Sequence, residues 1–421
     1  MLKRIPVSHV RLGMHVHKLD GAWLDHPFWR TRFRLGSEAE LTMLRSSGVS
    51  HCWIDTHLGL DVASPSHDAT VAASAADRPL CAAAASAEAV SRTLAATSPP
   101  PPASMDEEVR RAARICKSGR EAVVGLFAQA RMGRALDAES CLPLVAEIVD
   151  SIARQPAALI GLARLKTADD YTYMYSVAVC ALMVALGRQL GLDDADCREA
   201  GLAGLMHDLG KALVPLTILN KPGRLTDAEF EQVRRHTLHG HRLLLDSRGA
   251  SEAVLDVCLH HHERPGGGGY PDALSGHQVS RLARMGAVCD VYDAITSNRP
   301  YKSGWDPAES LARMASWSGQ FAPDVFQAFV RSLGIYPTGS LVRLASGRLA
   351  VVLEQNPQAL VSPVVRVFYS TRSEMPVPLR RIDLSAASCN DRIVGREDPQ
   401  RWGFRHLDEL LFDDDVLRRA R

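Results

Sequence analysis

The chain has 421 residues, with 49 Lys and Arg against 48 Asp and Glu, and 46% of its residues are hydrophobic. That length and apolar content predict two or three domains and exclude a long disordered chain. A net charge of +1 leaves no global positive field to neutralise phosphates, so polymeric DNA or RNA is not an expected partner.

Residues 1–61 show mixed periodicity, with an alternating stretch from Val10 to Val16 and an apolar run around Cys52 to Ile54. Between them Ser37-Glu-Ala-Glu40 has capping-box spacing and opens a short helix carrying Leu41 and Leu44, with Gly48 as its stop. A small α/β module is expected there. Residues 62–105 collapse to Ala, Ser and Pro, including four prolines in a row at 99–102. Such a stretch buries little and lacks donors for regular ladders, so it reads as a linker.

Residues 106–335 place apolar residues at i, i+3 and i+4, broken by Gly and Pro at about helix length, which predicts an all-α domain. Within residues 336–421, Leu341 to Leu353 alternates around Ser346-Gly-Arg and Val361 to Tyr369 is β-branched and aromatic. A small antiparallel β appendage with a terminal helix is expected. The chain as a whole reads as mainly α.

The nine cysteines are scattered and none forms a Cys-x-x-Cys pair, which argues against a disulfide framework or zinc ribbon. The longest apolar run, Val177 to Leu186, falls well short of the roughly 20 residues that span a bilayer. A soluble, cytoplasmic protein with no membrane partner is expected.

Eight of the 16 histidines lie between residues 207 and 277, a concentration that directs the search for a metal or catalytic site to that window. His207-Asp208-Leu-Gly-Lys211 ends an apolar helix that Gly210 should terminate. Neighbouring helical residues diverge by about 100°, so such an imidazole and carboxylate can grip an ion from two sides. Taken alone the dipeptide also fits a capped helix end. His236 is placed late in a helix opened by the capping box Thr226-Asp-Ala-Glu229, with Gly240 permitting close approach; a single helical His is more often a surface or core residue.

His260-His-His-Glu263 is more telling, because three consecutive imidazoles on one helix cannot all face solvent or all face core. The loop that follows, to Pro271, is glycine-rich, and a plain surface loop is the bland alternative. Asp290 and Asp293 are set i, i+3 into an apolar helix; a carboxylate buried there without a counter-ion costs several kcal/mol, so an inward Asp290 calls for a cation. Two exposed acids would read the same. Arg299 and Lys302 beside Pro300 suit phosphate as charge-assisted donors, or are ordinary surface charge.

With these residues in place, the segment from about 165 to 330 resembles the HD-GYP family, a branch of the HD-domain metal-dependent phosphohydrolases that degrades cyclic di-GMP. The resemblance rests on His207-Asp208-x-Gly-Lys211, Leu219-Asn-Lys-Pro-Gly-x-Leu-Thr226, His236-x-x-x-Gly240, His261-His-Glu-x-x-x-Gly-x-Gly-Tyr-Pro271, Asp290-Val-Tyr-Asp-Ala and Arg299-Pro-Tyr-Lys302, in that order. The first 60 residues are similar to a small domain that often precedes it. The resemblance implies that His207, Asp208, His236, His261, His262 and Asp290 hold two divalent ions, iron or manganese, with Asp208 bridging. It further implies that Lys211, Arg299 and Lys302 hold substrate phosphate, that Asp208 and Lys211 serve catalysis, and that Tyr270 lies beside the site or a guanine base. The implied reaction is hydrolysis of cyclic di-GMP to pGpG or GMP.

The sequence departs from the family pattern in three places. Tyr175, in Tyr171-Thr-Tyr-Met-Tyr175-Ser, stands where the family supplies a further His ligand, and no His lies between His67 and His207. A phenol with a pKa near 10 must lose a proton to ligate well, so Tyr175 is a conditional metal ligand and one subsite is expected to be weak. Tyr171 stands where trinuclear members carry Glu. Pro265, Gly266 and Ala273 replace commoner residues around the Gly-Tyr-Pro loop, and the extra glycines predict a mobile loop. Two alternatives follow from the same residues: a cyclic di-GMP sensor impaired by Tyr175, or an HD phosphohydrolase of another nucleotide. A homodimer or a signalling partner docking through the N-terminal module is the expected assembly.

Overall fold

The computed structural model describes residues 2–19, 33–36, 38–46, 51–61, 105–164, 171–221, 223–297, 304–356, 358–404 and 407–411. Residues 62–104 of the expected linker, residues 412–421 at the chain end where a terminal helix is expected, Arg299 and Lys302 lie outside the described residues, while Met105 already opens a helix. The chain divides into a unit before Pro99 and a unit from Pro99 onward.

In the first unit, strands β1 (Leu2–Pro6), β2 (His15–Leu19), β3 (Phe33–Arg34) and β4 (His51–Asp55) form a four-stranded sheet in the order β1-β4-β2-β3. All its pairings are antiparallel, with Ile5 opposite Cys52 and Val16 opposite Ile54. Helix α1 (Glu38–Ser46) contributes Leu41 and Leu44 to a core with Ile5, Val10, Met14, Val16, Cys52 and Ile54. The alternation from Val10 is buried as expected, but the strand begins only at His15. Gly13, at φ +84°, turns the chain there, donating to Leu35 O (2.8 Å) while its own carbonyl accepts from Leu60.

The second unit opens with α2 (Met105–Arg131), α3 (Leu142–Arg154), α4 (Pro156–Arg164), α5 (Tyr171–Gln189) and α6 (Asp194–Met206). Short α7 (Leu216–Leu219), α8 (Asp227–Arg234), α9 (His236–Leu245), α10 (Glu252–His260), α11 (Arg281–Thr296), α12 (Pro307–Ser316) and α13 (Pro323–Leu333) follow. Residues 177–186 of α5 are buried throughout, which is what a helix apolar on every side requires. It is the hub against which α2, α3, α4, α6, α11 and α13 pack. Glu108 on α2, fully buried, is gripped by Arg154 on α3 at 2.7 Å and 3.1 Å.

A five-stranded antiparallel sheet closes the unit, from β5 (Leu341–Leu344), β6 (Arg348–Glu354), β7 (Val364–Ser370), β8 (Met375–Asp383) and β9 (Ile393–Arg396), in the order β8-β7-β6-β5-β9. Val342, Leu344, Ala350, Val352, Val365 and Val367 pack into one apolar cluster. The sheet joins the helices where Arg164 Nη1 donates to Thr338 O (2.6 Å) and Gln155 Nε2 to Glu354 Oε2 (3.4 Å). The mainly α reading with a small α/β module and a β appendage therefore describes the molecule. No described helix is long and apolar enough to cross a membrane.

Candidate metal centre

Three helix ends differ from the sequence expectation, and the differences build the centre. Helix α6 ends at Met206 with His207 as its C-cap, and residues 209–213 form a 3-10 turn instead of a glycine-terminated stop. The reason for Gly210 is steric: a Cβ there would lie 1.9 Å from His236 O and 2.4 Å from Gly240 N. Gly240 meets Gly210 from the other side, so the two glycines bring the end of α6 against α9. The capping box Thr226/Glu229 forms, but α8 closes at Arg234 and His236 opens α9. Helix α10 ends at His260, so His261 is its C-cap and His262 lies in the turn beyond. Successive imidazoles thereby separate in direction.

The side chains of His207, Asp208, His236, His261, His262 and Asp290 converge. His236 Nε2 is 3.2 Å from Asp208 Oδ1 and 3.3 Å from His261 Nε2. His207 Nε2 is 3.4 Å from Asp208 Oδ2 and 3.5 Å from Asp290 Oδ1, and His262 Nδ1 is 3.8 Å from Asp290 Oδ2. Two triads have ligand atoms within 4.8 Å of one another, His236/His261/His262 and His207/Asp208/His261. His207, Asp208, His236, His261 and Asp290 are almost completely buried.

The imidazoles are also aimed. His207 Nδ1 faces Gly204 O at 2.8 Å, His236 Nδ1 faces Val233 O at 2.6 Å, and His261 Nδ1 faces Val257 O and Cys258 O at 3.0 and 3.1 Å. A carbonyl only accepts, so each Nδ1 carries the proton and each Nε2 presents its lone pair inward. His207 Nε2 and Asp208 Oδ1 are buried with no hydrogen-bond partner. A neutral imidazole and an ionised carboxylate left this way fit a cation and are costly without one.

The local field agrees. Burial opposes charge on Asp208, yet Lys211 and His207 hold its carboxyl well below the ordinary range. Burial also works against protonation of His207, but Asp208 and Asp290 lift it to about 10, so without an ion the ring takes up a proton at Nε2, in the position that a bound cation would take over. Burial pushes His262 down to about 3 despite Asp290, which keeps that ring neutral.

Lys211, in the 3-10 turn, sits 2.5 Å from Asp208 Oδ2 and 5.3 Å from the centroid of the Tyr175 ring. The Tyr175 phenol donates to Asp290, lying 2.8 Å from its main-chain carbonyl and within hydrogen-bond reach of its carboxylate. The residue that stands where the resemblance places a further His thus touches a member of the cluster. Tyr270 packs its ring 4.7 Å from that of His262, and the Arg234 guanidinium lies 4.6 Å over it.

The roles of two residues escaped the sequence reading. Glu263, buried, accepts from Asp272 N (2.7 Å) and Leu274 N (3.0 Å) and so ties down the Gly-Tyr-Pro loop. Gly266 N also donates to Gly319 O (2.8 Å), and a Cβ on Gly269 would lie 2.5 Å from Glu263 Cα. Gly266 and Gly269 serve close packing, while Gly267 and Gly268 take φ of +84° and +74° with open space around them. Arg234 is the second: only its position over Tyr270 singles it out. His260 stays outside the cluster, joined to Asp256 (2.7 Å) and Asp272 (3.0 Å).

Residues 148–325 match the HD domain family, and residues 2–141 match a domain of unknown function, DUF3391. The chain is 55% identical over 411 residues to cyclic di-GMP phosphodiesterase PA4108 of Pseudomonas aeruginosa, covering 97% of this chain and 95% of that protein. It is 35% identical to the cyclic di-GMP phosphodiesterase response regulator RpfG of Xanthomonas campestris, over 45% of this chain and 50% of the relative. A solved HDG"Y"P protein, Bd1817 of Bdellovibrio bacteriovorus, superposes with a TM-score of 0.45 at 17% identity, covering 78% of this chain and 98% of its own.

Proposed function

Because the chain belongs to the cyclic di-GMP phosphodiesterase family that its Pseudomonas relative represents along nearly its whole length, we infer that it hydrolyses cyclic di-GMP. The reaction is metal-dependent hydrolysis of a phosphodiester. The observation that carries the assignment to one place is the buried convergence of His207, Asp208, His236, His261, His262 and Asp290, with inward Nε2 atoms and an unpartnered Asp208 oxygen.

These six residues would hold two ions; His261 is common to both triads, and Asp208 Oδ1 lies 3.2 Å from His236 Nε2 of the other triad. Imidazole and carboxylate donors suit iron or manganese. When bound, such ions polarise the phosphodiester, acidify water and neutralise charge on the leaving oxygen. The chain's own groups do the rest. The Nδ1–H bonds to backbone carbonyls fix the three rings before substrate arrives. Lys211 stands at the half-buried edge of the cluster, its charge available to a phosphate oxygen as well as to Asp208. Tyr270, flanked by His262 and Arg234, offers an aromatic edge to a base. Arg299 and Lys302 complete the proposed phosphate contacts on charge alone.

The product is linear pGpG, GMP or both. The test is purified protein loaded with Fe(II) or Mn(II), with cyclic di-GMP and chromatographic detection of product. Tight binding without turnover under both metals, in air and without oxygen, would return the sensor reading.

A further inference from the structure

Resting on the hydrolase reading above for where the phosphodiester sits, we propose that Arg234 is a specificity-determining residue that reads the O6 and N7 acceptors of a guanine base of the cyclic dinucleotide.

Arg234 ends α8, two positions before the cluster histidine His236, which opens α9. Its guanidinium carbon lies 4.6 Å from the Tyr270 ring centroid, over the ring. The His262 ring lies 4.7 Å from the same centroid at a tilt of 30°, too near for anything but contact with a face. Two groups so close to one ring occupy its opposite faces. Arg234, Tyr270 and His262 therefore form a column that leads outward from the cluster, with Arg234 at its outer end and its side chain 37% exposed.

Most donors of Arg234 are uncommitted. Nη1 is 3.3 Å from Glu231 Oε2, a pair one helical turn long with both partners open to water and so of little strength. Among the described residues, Nε and Nη2 make no hydrogen bond. The guanidinium is a planar fork of N–H donors with no acceptor.

Charge alone would also suit phosphate, but position argues for a base. Phosphate belongs with the ions and with Lys211, whereas Arg234 is set off from His262 by the thickness of the Tyr270 ring. In a nucleotide the base stands off from its phosphate by the ribose, so a base whose phosphate lies at the cluster falls in the outer layer of the column. Both faces of Tyr270 are taken, which leaves hydrogen bonding to Arg234 as the way to recognise that base. Guanine offers two adjacent acceptors, O6 and N7, that match the fork, while adenine turns its N6 amino donor toward it. A donor set against a donor is unfavourable, so the same residue that accepts guanine discriminates against adenine.

The experiment is equilibrium dialysis of the full chain, loaded with Mn(II), against hydrolysis-resistant phosphorothioate analogues of cyclic di-GMP, cyclic di-IMP and cyclic di-AMP. Hypoxanthine keeps O6 and N7 and lacks only the 2-amino group of guanine, so wild type should bind those two ligands alike and about tenfold tighter than the adenine ligand. Arg234→Ala should weaken the guanine ligand by about tenfold while adenine binding holds within about twofold. Arg234→Gln, whose amide pairs with adenine N6 and N7, should bring the adenine ligand level with guanine or ahead of it. Equal weakening of all three ligands in Arg234→Ala would make Arg234 a phosphate contact or a prop for Tyr270 and overturn the proposal. An unchanged preference in that variant, hypoxanthine binding like adenine, or no saturable binding of the guanine ligand to wild type would overturn it as well. Turnover of unmodified cyclic di-GMP is assayed separately; its failure refutes the hydrolase reading and leaves a measured base preference standing.

Discussion

The phenol of Tyr175, on α5, donates to Asp290, on α11, its oxygen 2.8 Å from the Asp290 carbonyl and in contact with the carboxylate as well. A proton-bearing phenol in that place orients the carboxylate and leaves its second oxygen facing His262. Tyr175 therefore acts as a positioning residue in our reading. Tyr175→Phe should lower Mn(II) affinity about 10–100-fold, the usual effect of removing a partner behind a ligand. Tyr175→His should raise it. Metal titration of the two variants checks this, and equal affinities for Phe and wild type would remove Tyr175 from the centre.

Among the described residues, Asp208 is the one carboxylate within 4 Å of His207, His236 and His261 together. Asp208→Ala should strip metal and abolish hydrolysis. Lys211→Ala should retain metal and lose rate, because Lys211 supplies charge without a lone pair. Elemental analysis alongside the hydrolysis assay separates the two, and equal metal loss would give Lys211 a structural role.

Glu263 should control substrate affinity through the Gly-Tyr-Pro loop. In Glu263→Gln one acceptor oxygen becomes an amide donor facing a backbone N–H, at a cost of about 1–3 kcal/mol. The expected outcome is a lowered Tm and a raised KM with unchanged metal content. Unchanged Tm and KM would mean the loop is held elsewhere.

Ala273 is exposed and adopts φ 55°, a conformation that costs a side-chain-bearing residue about 1–2 kcal/mol. Ala273→Gly should therefore stabilise the protein by about 1 kcal/mol, less the added freedom of glycine in the unfolded chain. Urea denaturation measures it; a lower midpoint would show that the Ala273 methyl makes compensating contacts.

Glu108 should give an acid-sensitive share of stability. Burial pushes its carboxyl up, but Arg154, Ser151 and Arg111 outweigh burial and hold it below its ordinary 4.5. A carboxyl with a lowered folded pKa stabilises above its unfolded value, and that stability is lost as pH falls through the folded value. Glu108→Gln, which leaves Arg154 without its counter-charge, should cost about 3 kcal/mol near neutrality. The gap between variant and wild-type urea midpoints should narrow as pH drops below 4.5. A gap that stays constant would mean that packing, not charge, sets the effect.

Much of the centre was legible in the chain because its chemistry admits few residue types. Imidazoles and carboxylates at 207, 208, 236, 261, 262 and 290 announce themselves by identity and order. Their helical context was read less well. His236 begins a helix where it was expected near the end of one, since the Arg235 break is a matter of local dihedrals that the Thr226 capping box does not reveal. Glu263 was visible in its motif but its hold on the loop was not, because its partners are backbone N–H groups nine and eleven positions on, and main-chain donors carry no sequence signature. The extra glycines suggested freedom, yet Gly266 and Gly269 fill spaces that any Cβ would overfill.

The sequence by itself determined which atoms are available to bind a cation, and that most of the chain would be helical, because donor chemistry and hydrophobic period are local properties. Tertiary structure decided which nitrogen of each ring faces inward and how dry the carboxylates become. It also decided that a tyrosine answers Asp290. Those depend on Gly210 and Gly240 bringing α6 against α9 and on α5 lying beside α11, contacts between segments far apart in the chain. Side-chain direction and burial follow from such packing, and no stretch of sequence contains them alone.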